Sequence, residues 1–163
     1  LEMSELHSVP CEDDIELGPL SEEVLTDLAP LAEHKDIVLN CSGGALIIGS
    51  DTLLYRLVFN LVENAIRYSR PGSTVNVSIC DNDSHVFLRV EDQGPGIPKQ
   101  YRESIFQPFF RLDKSRSRAY GGAGLGLALV WEIAALHGGT VEVEASSENG
   151  ATMLTTLPKR TAA

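Results

Sequence analysis

One stretch of the chain, residues 51–68 (DTLLYRLVFNLVENAIRY), limits the possible folds more than any other. It predicts a helix, because apolar residues recur along it at the three- and four-residue spacing of one helical face. That face consists of Leu54, Leu57, Val58, Leu61, Val62 and Ala65. Ser50 or Asp51 can cap the start of the helix, and residues 69–72 (SRPG) end it. We therefore expect a helix that buries one side against the rest of the chain.

The opposite arc of this helix is polar and carries two asparagines one turn apart. It consists of Arg56, Asn60, Glu63, Asn64 and Arg67. Asparagine is a mediocre helix former, because its amide competes for backbone hydrogen bonds. One interpretation is a solvated face. The other is a row of amide oxygens and one carboxylate that faces a ligand, since a neutral amide oxygen suits Mg²⁺ that is bound largely through phosphate and water.

Further elements follow from the same periodicities. We predict a helix over residues 21–35, capped by Ser21 and interrupted or kinked at Pro30, and a second over residues 125–136. Alternating or continuous apolar runs predict strands at 15–17, 37–40, 45–48, 74–80, 86–90, 140–145 and 151–157. Helices and antiparallel strands thus come in clusters. This favours an α+β two-layer sandwich, with helices on one face of a mixed, mostly antiparallel sheet, over a doubly wound parallel sheet.

Composition excludes several classes of protein. A chain of 163 residues with 43% hydrophobic residues can bury a core, and no apolar run approaches the roughly 18 residues of a membrane span. Three scattered cysteines favour a reducing compartment over a disulfide framework. The net charge of −10 argues against nucleic-acid binding. Residues 99–118 are locally basic, which indicates either a solvated loop or a segment that meets an anion.

The turn after the strand at 86–90 contains a candidate recognition group. Asp92 follows the strand, and an ionised carboxylate only accepts hydrogen bonds, so it suits the exocyclic amine of adenine. The missing side chains of Gly94 and Gly96 would let a flat base lie against the backbone, with Ile97 as a wall. A tight turn without a ligand is the simpler alternative.

A second glycine-rich loop leads directly into the helix at 125–136. Its backbone amides, with the helix N-terminus behind them, suit a polyphosphate, although a flexible hinge would have the same composition. The glycines at 122, 124 and 126 match neither the dinucleotide fingerprint nor a Walker loop. Between the two glycine motifs, Phe106, Phe109 and Phe110 are either core residues or pivots of a lid over a nucleotide.

Together, four stretches resemble the sequence boxes of sensor histidine kinases. Residues 60–65 (NLVENA) resemble the asparagine box and 92–98 (DQGPGIP) the first glycine box. Residues 105–111 (IFQPFFR) resemble the phenylalanine box and 122–127 (GAGLGL) the second glycine box. They occur in the family's order and spacing. The resemblance implies the family's ATP-binding sandwich, which gyrase, mismatch-repair and heat-shock chaperone ATPases share more distantly.

The resemblance also implies roles for individual residues. Asn64 matches the magnesium-binding asparagine, Asn60 lies near the phosphates, and Glu63 matches an acid that polarises the acceptor histidine. Arg67 stands where a basic residue reaches phosphate, and Tyr68 where an aromatic lines the nucleotide. The remaining implied nucleotide-binding residues are Asp92, Gly94, Gly96, Ile97, Phe106, Gly122, Ala123, Gly124, Leu125 and Gly126. The implied cofactors are ATP and Mg²⁺.

The acceptor histidine of the family has no counterpart in the sequence. None of His7, His34, His85 and His137 has the expected acid, arginine and proline after it. We therefore expect residues 13–158 to be a catalytic ATP-binding domain, residues 1–12 the stub of a connection to a missing dimerisation and phosphoacceptor domain, and residues 159–163 a tail. The resemblance further implies a response regulator as downstream partner and a monomeric, cytoplasmic domain without membrane contact. We expect its parent protein to be anchored in a bacterial inner membrane.

Three other functions remain as alternatives. A related protein serine kinase of the anti-sigma type would lack the phenylalanine box and the long segment between Gly96 and Gly122. A gyrase-type conformational ATPase would need a further transducer domain that supplies a lysine. A non-catalytic nucleotide-sensing module is the third alternative.

Overall fold

The computed structural model of the chain describes residues 12–108, 110 and 126–159. In chain order, its helices and strands are β1 (Asp13–Glu16), α1 (Leu17–His34), β2 (Val38–Gly43), β3 (Leu46–Gly49), α2 (Asp51–Tyr68), β4 (Thr74–Asp81), β5 (His85–Glu91), α3 (Gly126–Leu136), β6 (Thr140–Ser147) and β7 (Gly150–Pro158). Two 3-10 turns, Lys99–Tyr101 and Ser104–Phe106, follow β5. Within the described ranges, no helix is both long and apolar enough to span a lipid bilayer.

Five strands form one sheet in the order β2-β4-β5-β7-β6. The β2–β4 pair is parallel and the other three pairs are antiparallel, which confirms the predicted mixed, mostly antiparallel sheet. The two predicted strands around Gly43 do not pair with each other. β2 joins the large sheet, whereas β3 pairs with β1 in a separate two-stranded ribbon, from Asp13 opposite Gly49 to Glu16 opposite Leu46.

The core lies between the large sheet and the helices. Alternate residues of β4 and β5 are buried, as expected for the strands predicted at 74–80 and 86–90: Val75, Val77, Ile79, Val86, Leu88 and Val90. The whole predicted apolar face of α2 is buried as well, and α2 packs against both α1 and α3. These contacts confirm the two-layer α+β sandwich.

Helix α1 differs from its prediction at the N-terminus. It begins at Leu17, four residues before Ser21, and Ser21 is a fully buried residue inside it rather than its cap. The earlier start has a physical reason, because Leu17 and Leu20 extend the buried stripe toward the ribbon and the Leu17 amide bonds the Ala45 carbonyl. Pro30 lies inside the helix, which continues to His34.

Helix α2 begins and ends where the sequence predicted, and side chains form hydrogen bonds with backbone groups at both ends. The Ser50 hydroxyl accepts a hydrogen bond from the Leu53 amide at 3.2 Å. At the other end, the Lys35 ammonium donates to the carbonyl oxygens of Ile66 and Arg67. A cation at that end also complements the helix dipole.

We predict that Ser50→Ala lowers the free energy of unfolding by about 1 kcal/mol, because a buried N-cap oxygen is lost. Chemical denaturation would measure this change. Ser42→Ala is the matched control, since Ser42 is an exposed residue of the edge strand β2, and it should change stability by less than about 0.5 kcal/mol. Equal effects of the two substitutions would contradict the capping role.

Candidate functional site

The two asparagines of α2 are half-buried rather than fully solvated. The Asn60 amide nitrogen donates to the Arg56 carbonyl at 2.9 Å, which leaves its Oδ1 as an acceptor. Helix α3 begins beside this oxygen, because a Cβ placed on Gly126 would lie 3.5 Å from Asn60 Oδ1. The structure therefore joins the asparagine helix to the end of the second glycine motif.

One turn further along α2, Asn64 makes no side-chain hydrogen bond to any other residue that the structure describes. Its neighbours Glu63 and Arg67 form an ion pair at 3.6 Å, with 31% and 30% of the two side chains exposed. Pairs of this kind contribute only a few tenths of a kcal/mol, so Arg67 can leave Glu63 for a stronger anion. The predicted roles of Glu63, Asn64 and Arg67 stay predictions.

The C-terminus of α2 meets the first glycine motif. A Cβ on Gly94 would lie 2.3 Å from the Tyr68 carbonyl oxygen, and a Cβ on Gly96 would lie 2.0 Å from the Ser147 carbonyl oxygen. Gly96 also has a backbone φ of +80°, which residues with a side chain rarely adopt. We predicted these glycines from the room that a flat base needs, but contact with the protein's own backbone already requires them.

Asp92 lies directly after β5 and is only 9% exposed. Its Oδ1 accepts hydrogen bonds from the amides of Gly94 at 3.0 Å and Ala151 at 3.2 Å. Within residues 12–108, 110 and 126–159, no group donates to Oδ2. Burial raises the pKa of the Asp92 carboxyl. The hydrogen bonds from the two amides lower this pKa in part, and the charge of Glu91 raises it further. One oxygen is thus fixed by the protein, and the other remains an acceptor.

Residues of the β6–β7 hairpin complete this region, and sequence reasoning missed them. The Ser146 hydroxyl accepts from the Ile97 amide at 2.7 Å and donates to the Ile97 carbonyl at 3.3 Å, so it fixes the predicted wall residue. Gly150 approaches Asp92 so closely that a Cβ would lie 2.1 Å from the Asp92 carbonyl oxygen. Residues 146–150 have only a turn-like composition, which gives no signal for these distant contacts.

The sequence left open whether Phe106 is a core residue or a pivot of a lid, and in the structure it lies in the core. It is 6% exposed, belongs to the hydrophobic core, and packs against Trp131 of α3 with 5.5 Å between ring centroids. This position makes Phe106 a core residue, and its predicted contact with a nucleotide stays a prediction. Six other residues of the predicted motifs lie outside the described residues: Phe109, Arg111, Gly122, Ala123, Gly124 and Leu125.

The described groups line a region beside α2 with two chemically different ends. At the Tyr68 end, Asp92 presents a buried carboxylate oxygen beside the first glycine turn. Asn64 and Asn60 lie about 6 Å and about 12 Å further back along the helix axis, at 1.5 Å per residue. The N-terminus of α3, a favourable place for anions, adjoins the Asn60 end. Such a site can accept hydrogen bonds from a base at one end and hold phosphates at the other.

Comparison with known proteins places the chain in a family. The family of histidine kinase-, DNA gyrase B- and HSP90-like ATPases matches residues 49–161. The sensor-like histidine kinase SenX3 of Mycobacterium tuberculosis is 36% identical over 163 residues, which cover 97% of this chain and 40% of that protein. The chain thus spans about 40% of the length of the SenX3 proteins that it matches.

Solved structures give the same result. The mycobacterial sensor histidine kinase MprB superposes with a TM-score of 0.80 at 31% identity, over 91% of this chain and 98% of that chain. Full-length ShkA in complex with AMPPNP superposes with a TM-score of 0.85 at 27% identity, over 99% of this chain and 34% of that one. The chain therefore belongs to the family of histidine kinase-, DNA gyrase B- and HSP90-like ATPases, as a catalytic ATPase domain of the kind found in sensor histidine kinases.

Proposed function

We propose that this chain binds MgATP along α2 and transfers the γ-phosphoryl group to a histidine of a separate acceptor domain. The observation that carries the proposal is the buried Asp92, with one carboxylate oxygen fixed by two amides and the other open, at the end of the helix that presents Asn60 and Asn64. Relatives named as sensor histidine kinases support histidine as the acceptor.

Asp92 selects adenine through its open oxygen. Its Oδ1 is saturated by the Gly94 and Ala151 amides, so Oδ2 is the atom that accepts a hydrogen bond from the exocyclic amine. Guanine presents a carbonyl oxygen at the corresponding ring position, and two acceptors would then face each other in a buried place. This gives a buried carboxylate a strong preference for adenine.

Asn64 and Asn60 bind the nucleotide at its phosphate end. In the described part of the chain, no three histidine, cysteine or acidic side chains cluster as a metal site, so this part offers no charged cage for a metal. One neutral amide oxygen of Asn64 nevertheless fits Mg²⁺, which takes most of its ligands from phosphate and water. Mg²⁺ bound there supplies charge neutralisation of the triphosphate. Asn60 and the α3 N-terminus orient the phosphates from the other side.

In this proposal the acceptor histidine comes from another domain. Among the described histidines, His137 is buried, His85 opens β5 and His34 ends α1. We propose that the acceptor belongs to the parent protein's own dimerisation domain and that a response regulator receives the phosphoryl group next. In this proposal the domain faces the cytoplasm, and the parent protein is anchored in a bacterial inner membrane.

Asp92→Asn tests the adenine site. The amide oxygen must take the place of Oδ1 to keep both hydrogen bonds, so the NH₂ group faces the adenine amine, and donor meets donor. We expect the affinity for a non-hydrolysable ATP analogue to fall by about tenfold to a hundredfold in calorimetry. The free energy of unfolding should stay equal or rise, because burial disfavours the charged form that the variant lacks.

The control for this substitution is Asp83→Asn in the exposed β4–β5 turn, which should bind like the wild type. Unchanged affinity of Asp92→Asn would remove the adenine assignment. If the wild type also fails to bind, the proposed function itself is wrong.

Nucleotide affinity should fall as the pH decreases through the raised pKa of Asp92. The adenine amine needs the ionised carboxylate, so binding lowers this pKa and releases protons in the acidic range. Calorimetry in two buffers of different ionisation enthalpy would count the released protons. Proton uptake on binding, or an affinity that rises toward acid, would contradict the assignment.

Asn64→Asp tests the phosphate end. The new carboxylate adds negative charge beside the triphosphate, so we expect phosphotransfer to an acceptor domain supplied in trans to slow by at least about tenfold, while the fold stays intact. Asn40→Asp on the exposed edge strand β2 controls for the added charge. The acid lability of the phosphoprotein would identify phosphohistidine, whereas acid-stable phosphoserine would favour the serine-kinase alternative.

A further inference from the structure

His137 is a buried histidine whose two ring nitrogens both have partners. It directly follows α3 and is 3% exposed. Its Nε2 lies 3.1 Å from the Ser50 amide, which donates to it, and its Nδ1 lies 2.8 Å from the Ile133 carbonyl oxygen. Because an amide only donates and a carbonyl only accepts, Nδ1 carries the hydrogen and the ring is neutral. The imidazole therefore links the start of α2 to the last turn of α3.

The Ser50 amide is the group that a capping box normally satisfies. In that motif, an acid or glutamine three residues after the N-cap accepts a hydrogen bond from the N-cap amide. In α2 this position is Leu53, which has no acceptor, although its own amide bonds the Ser50 hydroxyl. His137 supplies the missing acceptor from the position directly after α3, so the capping box of α2 is complete only when α3 is in place.

The backbone is shaped to admit this ring. A Cβ on Gly49 would lie 2.6 Å from both Cδ2 and Nε2 of His137, closer than real contacts allow. Gly49 does not have a positive φ, so its conformation does not require glycine. The imidazole, together with Leu54 Cδ1 at 3.2 Å, occupies the space that a side chain at this position would need.

The bond between His137 and Ser50 fixes one end of the α2–α3 pair. The other end of the pair, where Gly126 adjoins Asn60, is the phosphate end of the candidate site. Gly126 and His137 are eleven residues apart, about 16 Å along α3, and Ser50 and Asn60 are ten residues apart, about 15 Å along α2. Since His137 bonds Ser50 and Gly126 adjoins Asn60, the two helices run antiparallel over matched lengths. A slip of α3 at the His137 end would displace Gly126 from Asn60.

We propose that His137 is a positioning residue that sets the register of α3 along α2 and so holds the N-terminus of α3 at the phosphates. This inference rests on the proposed binding of ATP at α2. Its partners Ser50 and Ile133 are not predicted nucleotide-binding residues, so His137 acts through the helix that separates it from the site.

Two substitutions of His137 test the proposal. In His137→Gln, the side-chain oxygen can reach the Ser50 amide and restore the acceptor, whereas His137→Leu removes it. We expect the Kd for a non-hydrolysable ATP analogue to rise by about tenfold or more in His137→Leu and to stay within about threefold of wild type in His137→Gln.

The control separates positioning from simple loss of stability. Leu28→Ala removes core volume from α1, which takes no part in the His137–Ser50 bond or the Gly126–Asn60 contact, and should destabilise the domain by about 2–5 kcal/mol. It should leave the Kd of the folded protein unchanged. Trp131 provides a second measurement, because it is the single tryptophan of the chain and lies on α3. Its emission in the nucleotide-free protein should shift in His137→Leu and not in Leu28→Ala.

The outcomes are distinguishable. If His137→Leu binds nucleotide as tightly as Leu28→Ala, or if His137→Gln restores nothing, the positioning role is wrong. If His137→Leu does not fold, Gly49→Ala makes the same test, because its methyl group must displace the ring. If the wild type binds no nucleotide, the proposed function fails, and the emission of Trp131 still reports whether His137 holds α3.

Discussion

Burial of α2 is the interaction on which the rest of the structure depends. Its apolar face is almost completely buried, and α1, α3 and the large sheet all pack against it. The hydrophobic effect therefore fixes the orientation of the helix, and the orientation fixes where its other face lies. Asn60 and Asn64 have their positions because the apolar residues between them are in the core. A substitution that rotated the helix would displace both amides together.

Backbone atoms hold the candidate site together to an unusual degree. Tyr68 approaches Gly94, Ser147 approaches Gly96, and Asp92 approaches Gly150, each through a carbonyl oxygen. Backbone approach of this kind leaves no space for side chains, so the site is rigid at its base end. By contrast, the side chains of Asn60 and Asn64 are only half-buried, which is compatible with the phosphate-binding role that we propose for them.

The sequence predicted most of the fold and part of the site. Local patterns were sufficient for α2 and for the β4–β5 hairpin, because their periodicity matches their burial. The predicted start of α1 was wrong, because the amide of Leu17 bonds the carbonyl of Ala45, a residue 28 positions away that no local pattern reveals. Ser146 and His137 were missed as functional candidates for the same reason. Their partners are close in space and distant in sequence.

The β1–β3 ribbon gives the fold a mechanical property. Its antiparallel register sets Asp13 opposite Gly49, the residue before the Ser50 cap, and β1 continues at its other end directly into α1. Tension on the chain at residue 12 would therefore act first on the Asp13–Gly49 pair, at the end of the ribbon that adjoins Ser50. It would enter the domain beside the first turn of α2. A pull on the preceding segment is thus delivered to the helix that carries Asn60 and Asn64.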